Sequence, residues 1–451
     1  VGHTINGITL NKIMTGASIG LFSFETKDGV NAEDIAKNIA KEVREKLCDK
    51  TEGHATFVVS VLKSTGGFEH DNETITAVNR WQQFQQPTLI LPEKESNDKC
   101  FYDGVRPGFE TETPDGKKPV SESVLFRREE GKKLRSNIYK HILGDETFKK
   151  MFTSADVSKD NFTTDLDDLT DSQDKGNLNH KMAFIYFDGN KFSKIRANKC
   201  TAEKTLTAFS ECVEKHRKDF LCKLIQEAKA SPDFKNNEAI RLETLLWGGD
   251  DLEIVVPAWK GWKVLRLFYK CMSNAAFDGV QLTHAGGIIF SNHKAPIRQI
   301  REMARKLADM AKDKLPSDFK SLQHDKHDIA HYLIMESFDT VGPDIQHFVK
   351  QYYGDGFYND FTLTPNKMDN ITEALSLMKA NGFPHNKIFE IIRIIKSEPL
   401  PEQKEKINKV FDKALSEVED RDTVCASIKK AIEDNYHRWL MLADLWDYAG
   451  R

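Results

Sequence analysis

The stretches MAFIYFDG (182–189) and LETLLWGGDDLEIVV (242–256) decide the fold. The first is an unbroken apolar run that stops at Asp188-Gly189, the composition of a buried strand. The second is two apolar runs separated only by Gly248-Gly249-Asp250-Asp251, the pattern of a tight β-hairpin whose turn carries two carboxylates. Between them, Leu206, Phe209, Val213, Phe220 and Leu224 fall on one helical face that ends near Ser231-Pro232. Beyond the hairpin the pattern predicts a helix over 260–275 and a strand over 281–290. A helix bearing Ile297, Ile300, Ala304, Leu307 and Ala311 follows, then a strand over Ala330–Met335 that closes the sheet. The order β-α-β-β-α-β-α is a ferredoxin-like split β-α-β arrangement, the palm of many nucleotide-transferring enzymes.

Upstream, Ile19–Phe24 reads as a strand, and a helix starts after Asn31 with Ala32, Ile35, Ile39, Val43 and Leu47 on one stripe. Thr56–Leu62 reads as a second buried strand before Gly66-Gly67, then Glu73–Gln86 as a helix and Thr88–Leu91 as an apolar run. Residues 93–135 turn polar and end in a basic patch of Arg127, Arg128, Lys132, Lys133 and Arg135, expected as a solvated insert. Ser158–Asn179, with six aspartates between Asp160 and Asp174, reads as a mobile linker without calcium-loop spacing. After Asp344 the pattern is helical: 369–380, 386–396, 402–417 and 423–448. In the last of these Tyr436, Trp439, Leu442, Leu445 and Trp446 are expected to pack a core.

Composition narrows the function. The 451 residues hold 65 Lys+Arg against 69 Asp+Glu, a net charge of −4, which excludes nucleic-acid binding by bulk positive charge. No apolar run approaches the roughly 20 residues of a membrane span, and the opening Val1-Gly2-His3-Thr4 shows no signal-peptide pattern. Seven scattered cysteines without a C-x-x-C pair support neither a disulfide framework nor a zinc ribbon, and fit a reducing cytoplasm.

The chemistry is expected at the aspartates. A strand ending in Asp188 beside a hairpin tipped by Asp250 and Asp251 brings three carboxylates to one sheet edge, an arrangement that cations must neutralise. Two Mg²⁺ (or Mn²⁺) ions about 3.5–4 Å apart would do so and would serve in-line displacement at a phosphate. One would lower the pKa of an attacking 3′-hydroxyl, the other would steady the leaving pyrophosphate. Gly248 and Gly249 permit the φ > 0 geometry of a tight turn and close approach of a nucleotide; Gly189 leaves room for a phosphate.

MAFIYFDGNKFSKI (182–195), WGGDD (247–251) and HAGGIIFSNHKAPIRQIREMARKLADMAK (284–312) together resemble the second palm domain of the polymerase-cyclase large subunit of type III CRISPR effectors. The resemblance spans about 177–354 and implies an α+β chain. Its parts would be a first palm-like domain (1–95), a polar insert with a degenerate zinc-finger-like region and acidic linker (96–175), a catalytic palm (176–354) and a C-terminal helical domain (355–451). It implies conversion of ATP or another NTP into a cyclic oligonucleotide messenger in antiviral defence, with Asp188, Asp250 and Asp251 as metal carboxylates. Gly248 and Gly249 would lie beneath the nucleotide, Gly286 and Gly287 on a small-residue strand facing it, and Lys312 on the triphosphate; His293-Lys294-Ala295-Pro296 is read as a structural loop.

Departures from the family pattern accompany it. The chain opens on the first α+β block with no HD-type nuclease domain, and His324-Asp325 with His327-Asp328 lacks the dispersed spacing such a nuclease needs. Cys100 lacks partner cysteines for zinc, and the first block lacks an acidic hairpin, so it reads as a noncatalytic scaffold or a second nucleotide-holding surface. The alternative function is a scaffold subunit that binds guide or target RNA, or effector proteins, through the basic cluster and the helical tail. A homodimer is a further expectation, because one nucleotide donates while another accepts.

Overall fold

The computed structural model describes residues 3–5, 8–16, 19–26, 31–85, 96–113, 116–152, 161–335, 345–353, 361–433 and 435–450. The fold divides into two compact units, residues 1–150 with 197–208, and residues 151–196 with 209–451. No helix among the described residues is long and apolar enough to cross a membrane.

In the first unit β1 (His3–Ile5), β2 (Ile8–Thr15) and β3 (Gly20–Ser23) form an antiparallel meander. Helix α1 (Ala32–Lys50) starts at Asn31 as expected, although the Asn31 side chain donates to Asp34 rather than capping the helix. Helix α2 (Phe68–Gln85) begins five residues before the expected Glu73. Thr56–Leu62 forms no strand. The run is only half-buried, with Leu62 exposed, and an apolar composition supplies no backbone partner. The expected run Thr88–Leu91 lies outside the described residues. The hairpin β4 (Phe109–Thr113) to β5 (Gly116–Val120) leads into α3 (Glu122–Leu143), whose Ser121 hydroxyl caps the Val124 amide. The basic patch 127–135 therefore lies on a helix and not on a loop, with Arg128 stacked 4.3 Å from the Tyr102 ring. Cys100 is buried and unbridged. Helix α4 (Asp145–Met151) follows.

The second unit is built on a five-stranded sheet. Its elements are α5 (Leu166–Thr170), β6 (Lys181–Gly189), α6 (Phe192–Lys199), α7 (Glu203–Ala230), the short pair β7 (Lys235–Asn236) and β8 (Ala239–Ile240), β9 (Glu243–Gly248), β10 (Asp251–Pro257) and α8 (Ala258–Met272). A second short pair, β11 (Ala276–Phe277) and β12 (Val280–Gln281), precedes β13 (His284–Asn292), α9 (Ile297–Lys312), α10 (His324–His327) and β14 (Ile329–Met335). The strand order is β14-β13-β6-β10-β9. Four of its strands, β13-β6-β10-β9, follow the ferredoxin-like order 4-1-3-2, all antiparallel, and β14 joins the edge parallel to β13.

Period-2 alternation assigns the two faces. Phe187 stacks on Phe268 of α8 at 3.6 Å, and Phe220 of α7 meets Phe268 at 5.1 Å, so α7 and α8 cover one face. A Cβ on Gly286 would lie 2.7 Å from Tyr269 Oη on α8, whereas one on the next residue, Gly287, would lie 2.0 Å from Ala304 O on α9. Helix α9 therefore packs on the opposite face, with its backbone pressed onto β13.

Residues 161–179 differ from the linker expected there. Asp165 caps α5 by accepting from the Asp168 amide, Leu169 and Leu178 are fully buried, and Arg241 donates to the Asp168 and Leu169 carbonyls. Apolar residues spaced among the aspartates anchor the segment while the carboxylates stay in water.

Downstream lie α11 (Ile345–Tyr353), α12 (Pro365–Ala380), α13 (His385–Ser397), α14 (Leu400–Leu415), α15 (Arg421–Ile432), α16 (Trp439–Asp444) and α17 (Trp446–Ala449). The helix expected over 423–448 breaks at Glu433, whose left-handed φ of +47° ends α15. The aromatic tail is core: Trp439, Leu442 and Leu445 are buried, and Tyr448 lies 4.2 Å from the Phe290 ring of β13. Trp262 of α8 donates to Thr372 at 2.8 Å, and Arg266 pairs with Asp369, so α12 docks on the α8 face.

Candidate active site

Three of the expected carboxylates meet at one end of the sheet. Asp188 is the penultimate residue of β6, in register with Ala285 of β13. The β9–β10 hairpin closes with Gly248 paired to Asp251, leaving Gly249 and Asp250 as the two turn residues. Gly249 takes φ +53°, which glycine adopts without a Cβ clash, and the space over its Cα is open. Gly248 does not share that geometry; it is a strand residue.

Tyr186 lies two residues before Asp188 and thus on the same, α9-facing, side. Its hydroxyl donates to Asp251 Oδ1 at 2.7 Å. From the C-terminal turn of α9, Lys312 Nζ forms an ion pair with Asp188 Oδ2. Behind them Glu253, fully buried on β10, accepts from Arg301 Nε at 2.8 Å and Arg305 Nε at 3.0 Å, and Arg305 lies 5.3 Å from the Tyr186 ring. On the hairpin, buried Arg217 of α7 stacks 4.5 Å from the Trp247 ring and donates through Nη1 to Gly249 O. Its Nε and Nη2 have no hydrogen-bond partner.

The electrostatics follow from burial. Burial pushes the Asp188 carboxyl up to about 6, with Asp250 and Asp251 adding to the rise and Lys312 opposing it. Asp250 is raised as well, by burial and then by Asp251. Burial lifts the Tyr186 hydroxyl far above its usual range, helped by Asp188 and Asp251, so Tyr186 stays a donor. Burial draws Arg217 down to about 10, which leaves it charged at neutral pH. The donor set fits hard divalent cations: carboxylate oxygens held against their own repulsion, with the Lys312 ammonium drawn onto Asp188 as a stand-in.

A pH dependence follows. A carboxyl raised from 3.8 to about 6 in the folded chain stabilises fully below about pH 4, and that contribution is lost as pH rises through 6. A divalent cation must displace the proton, and the groups facing Asp188 are Lys312, Asp250, Asp251 and Tyr186. The rise in melting temperature given by 10 mM Mg²⁺ should therefore be small at pH 5 and reach its plateau above about pH 7. A Mg²⁺ effect independent of pH across this range would contradict the assignment.

Three expected glycine roles change. The Cβ position of Gly189 is filled by the Phe192 ring at 2.6 Å, so its smallness serves packing and not a phosphate. Gly286 and Gly287 are buried between α8 and α9, against Tyr269 and Ala304, and do not face an open nucleotide cleft. From the two His-Asp pairs, His324 and Asp328 bond each other. His324 Nδ1 meets Asp328 Oδ2 at 2.7 Å, and Asp328 Oδ1 accepts the His284 amide at 2.8 Å.

Sequence reasoning missed Tyr186, Arg217, Glu253, Arg301 and Arg305. Two carried a visible signal: Arg217 sits on the apolar helical face four residues after Val213 and three before Phe220, and Glu253 interrupts an otherwise apolar strand. Buried charges in such places have partners.

A ferredoxin-like sheet carries acidic residues at the end of its first strand and on the β9–β10 hairpin, the arrangement of a palm. Residues 181–318 match the family described as Cas10/Cmr2, second palm domain. No match is found among curated proteins. Among solved structures, Csm1 of T. onnurineus is similar at 11% identity, over 98% of this chain and 62% of that one, with a TM-score of 0.45. An apo Csm1-Csm4 cassette (11%, 96% and 63%, 0.43) and a Csm1-Csm4 cassette in complex with cA4 (11%, 96% and 62%, 0.40) are similar too. The chain spans less than two thirds of the length of these structures.

Proposed function

We propose that this chain is a metal-dependent nucleotidyltransferase that joins nucleoside triphosphates, ATP first, into a cyclic oligonucleotide messenger within a type III CRISPR defence system of the cytoplasm. The observation that carries the reading is the meeting of Asp188, Asp250 and Asp251 at one sheet end, where burial and repulsion raise Asp188 and Asp250. These three would hold two Mg²⁺ or Mn²⁺ ions, which when bound supply Lewis-acid activation of a 3′-hydroxyl and neutralise charge on the triphosphate.

The chain's own residues do the positioning. Arg217 pins the hairpin at Gly249 O, keeping Asp250 and Asp251 in place. Tyr186 donates to one oxygen of Asp251 and leaves the other for a ligand. Arg305, held by Glu253, keeps the Tyr186 ring in position. Gly248 and Gly249 present bare backbone to the nucleotide, and Lys312 exchanges Asp188 for the triphosphate. Lys312→Gln should accordingly raise the KM for ATP about tenfold, the loss of one charged contact, with a smaller change in kcat. An unchanged KM would remove Lys312 from the nucleotide site.

The test of the function is incubation of the purified chain with Mg²⁺ or Mn²⁺ and an equal mixture of four NTPs, with pyrophosphate release and product mass as readouts. A cyclic product supports the reading. Equal inactivity of the parent and of a D250N/D251N variant with every NTP favours the second reading, a scaffold subunit that binds RNA or effector proteins. The array Arg127, Arg128, Lys132, Lys133 and Arg135 on α3 motivates that alternative. The domain division carries over with one shift: a first palm-like domain (1–95), an insert (96–160), the palm (161–354) and a helical domain (355–451). Burial of Leu169 on α5 and of Leu178 after it supports starting the palm at 161. Pairing of two chains as a homodimer would supply donor and acceptor nucleotides together.

A further inference from the structure

We propose that Asp167, His180 and His293 form a Zn²⁺ site at the end of the palm sheet remote from the carboxylates. One ligand atom from each lies within 4.8 Å of the others. His180 immediately precedes β6 and Asp188 lies eight residues on, which at 3.3 Å per residue separates the two sites by about 26 Å.

Hydrogen bonding determines the state of His293. Its Nδ1 lies 2.9 Å from His180 O, and a carbonyl can only accept, so Nδ1 carries the proton. In the neutral ring Nε2 then carries a lone pair, and it lies 2.6 Å from Asp167 Oδ1, turned off the line between them so that no hydrogen bond forms. Two acceptors at that separation repel unless a proton or a metal ion stands between them. His180 Nδ1 is buried nearby and also lacks a partner, and the two rings lie 5.4 Å apart. An Nδ1–H donated to a backbone carbonyl, with the other ring nitrogen free, is the usual second-shell arrangement of a metal-bound histidine.

The backbone holds this geometry before any ion arrives. His180 adopts φ +59°, its amide donates to Thr170 O, and its carbonyl accepts from both the amide and the ring of His293. The His293 side chain is 6% exposed and the Asp167 side chain 70%, so the site is rigid on one side and open to solvent on the other. Two imidazole nitrogens and one carboxylate oxygen select Zn²⁺ over Mg²⁺, which takes oxygen donors, and leave a fourth position for water. Tetrahedral bonds of about 2.0–2.1 Å place donor atoms roughly 3.3 Å apart, so the close pair need open by only about 0.7 Å. The ion would fasten the segment before β6 to the exit of β13, the two central strands of the palm.

The chain, stripped by chelation and titrated with Co²⁺ as a spectroscopic probe, should bind a single ion with the visible absorption of a tetrahedral site, displaced by Zn²⁺. A D250N/D251N background, which removes competing carboxylates, should keep that signal. Asp167→Asn and His293→Gln should each weaken binding by about tenfold or more. Asp167 is exposed, so its variant separates loss of a ligand from loss of the fold, read by circular dichroism. Substoichiometric uptake, or uptake that both substitutions leave unchanged, overturns the proposal.

Discussion

Replacing Asp250 and Asp251 together with asparagine should slow pyrophosphate release from ATP by about 10³-fold or more, equivalent to about 4 kcal/mol, and should leave the melting temperature level or higher. Both halves of this expectation have the same origin. Burial and the neighbouring Asp251 charge disfavour ionised Asp250, so neutral isosteres relieve the folded chain while removing the charge that would hold cations. The hairpin keeps its anchor, because Arg217 bonds the Gly249 carbonyl and not a carboxylate. Thermal melting alongside a coupled pyrophosphate assay makes the comparison. A variant as active as the parent would remove these aspartates from catalysis, and a variant that melts well below it would mean they serve the fold.

Gly287→Ala should cost about 3 kcal/mol of stability, at the upper end for overpacking by one methyl, and lower the melting temperature by about 6 °C. The new Cβ would stand 2.0 Å from Ala304 O and 2.9 Å from Ala304 C, both backbone atoms that no rotamer change can move aside. Helix α9 must retreat as a body, carrying Arg301, Arg305 and Lys312 away from Glu253 and Asp188. Activity should therefore fall with stability even at temperatures where the chain stays folded. Gly249→Ala is the contrast: its Cβ meets nothing within 4 Å, but φ +53° makes it about 1–2 kcal/mol unfavourable, a local strain at the turn. Urea unfolding of both variants distinguishes a displaced helix from a strained turn; equal stability of Gly287→Ala and the parent would mean that β13 and α9 are less closely packed than described.

The palm was legible because its strands are continuous apolar runs and its hairpin turn is only two residues long, signals that lie within a short window of sequence. What sequence reading missed depends on pairing across distance. Thr56–Leu62 has the composition of a strand, but composition does not name a neighbour to bond with. The carboxylates were found from position alone, while their partners come from elsewhere: Tyr186 from the same strand face, Arg217 from α7, Lys312 from the last turn of α9. Gly286 and Gly287 looked like room for a nucleotide because a missing side chain has the same spelling whether a ligand or a helix backbone fills the gap. Leu169 and Leu178 were the clue that residues 161–179 are anchored, outnumbered there by five aspartates.

The register Ala285↔Asp188 joins residues 97 positions apart, and Phe187↔Leu252 joins residues 65 apart, whereas Gly248 meets Asp251 across a two-residue turn. Assembly during folding is therefore ordered by loop closure: the hairpin with Asp250 and Asp251 can form early, and Asp188 arrives only when β6 docks. The repulsive cluster comes together in the same step that buries Met182 to Phe187, so the apolar strand offsets the charge crowding at its tip. Like charges that met earlier would have opposed nucleation; placed at the end of the central strand, they meet only in the step that closes the core around it.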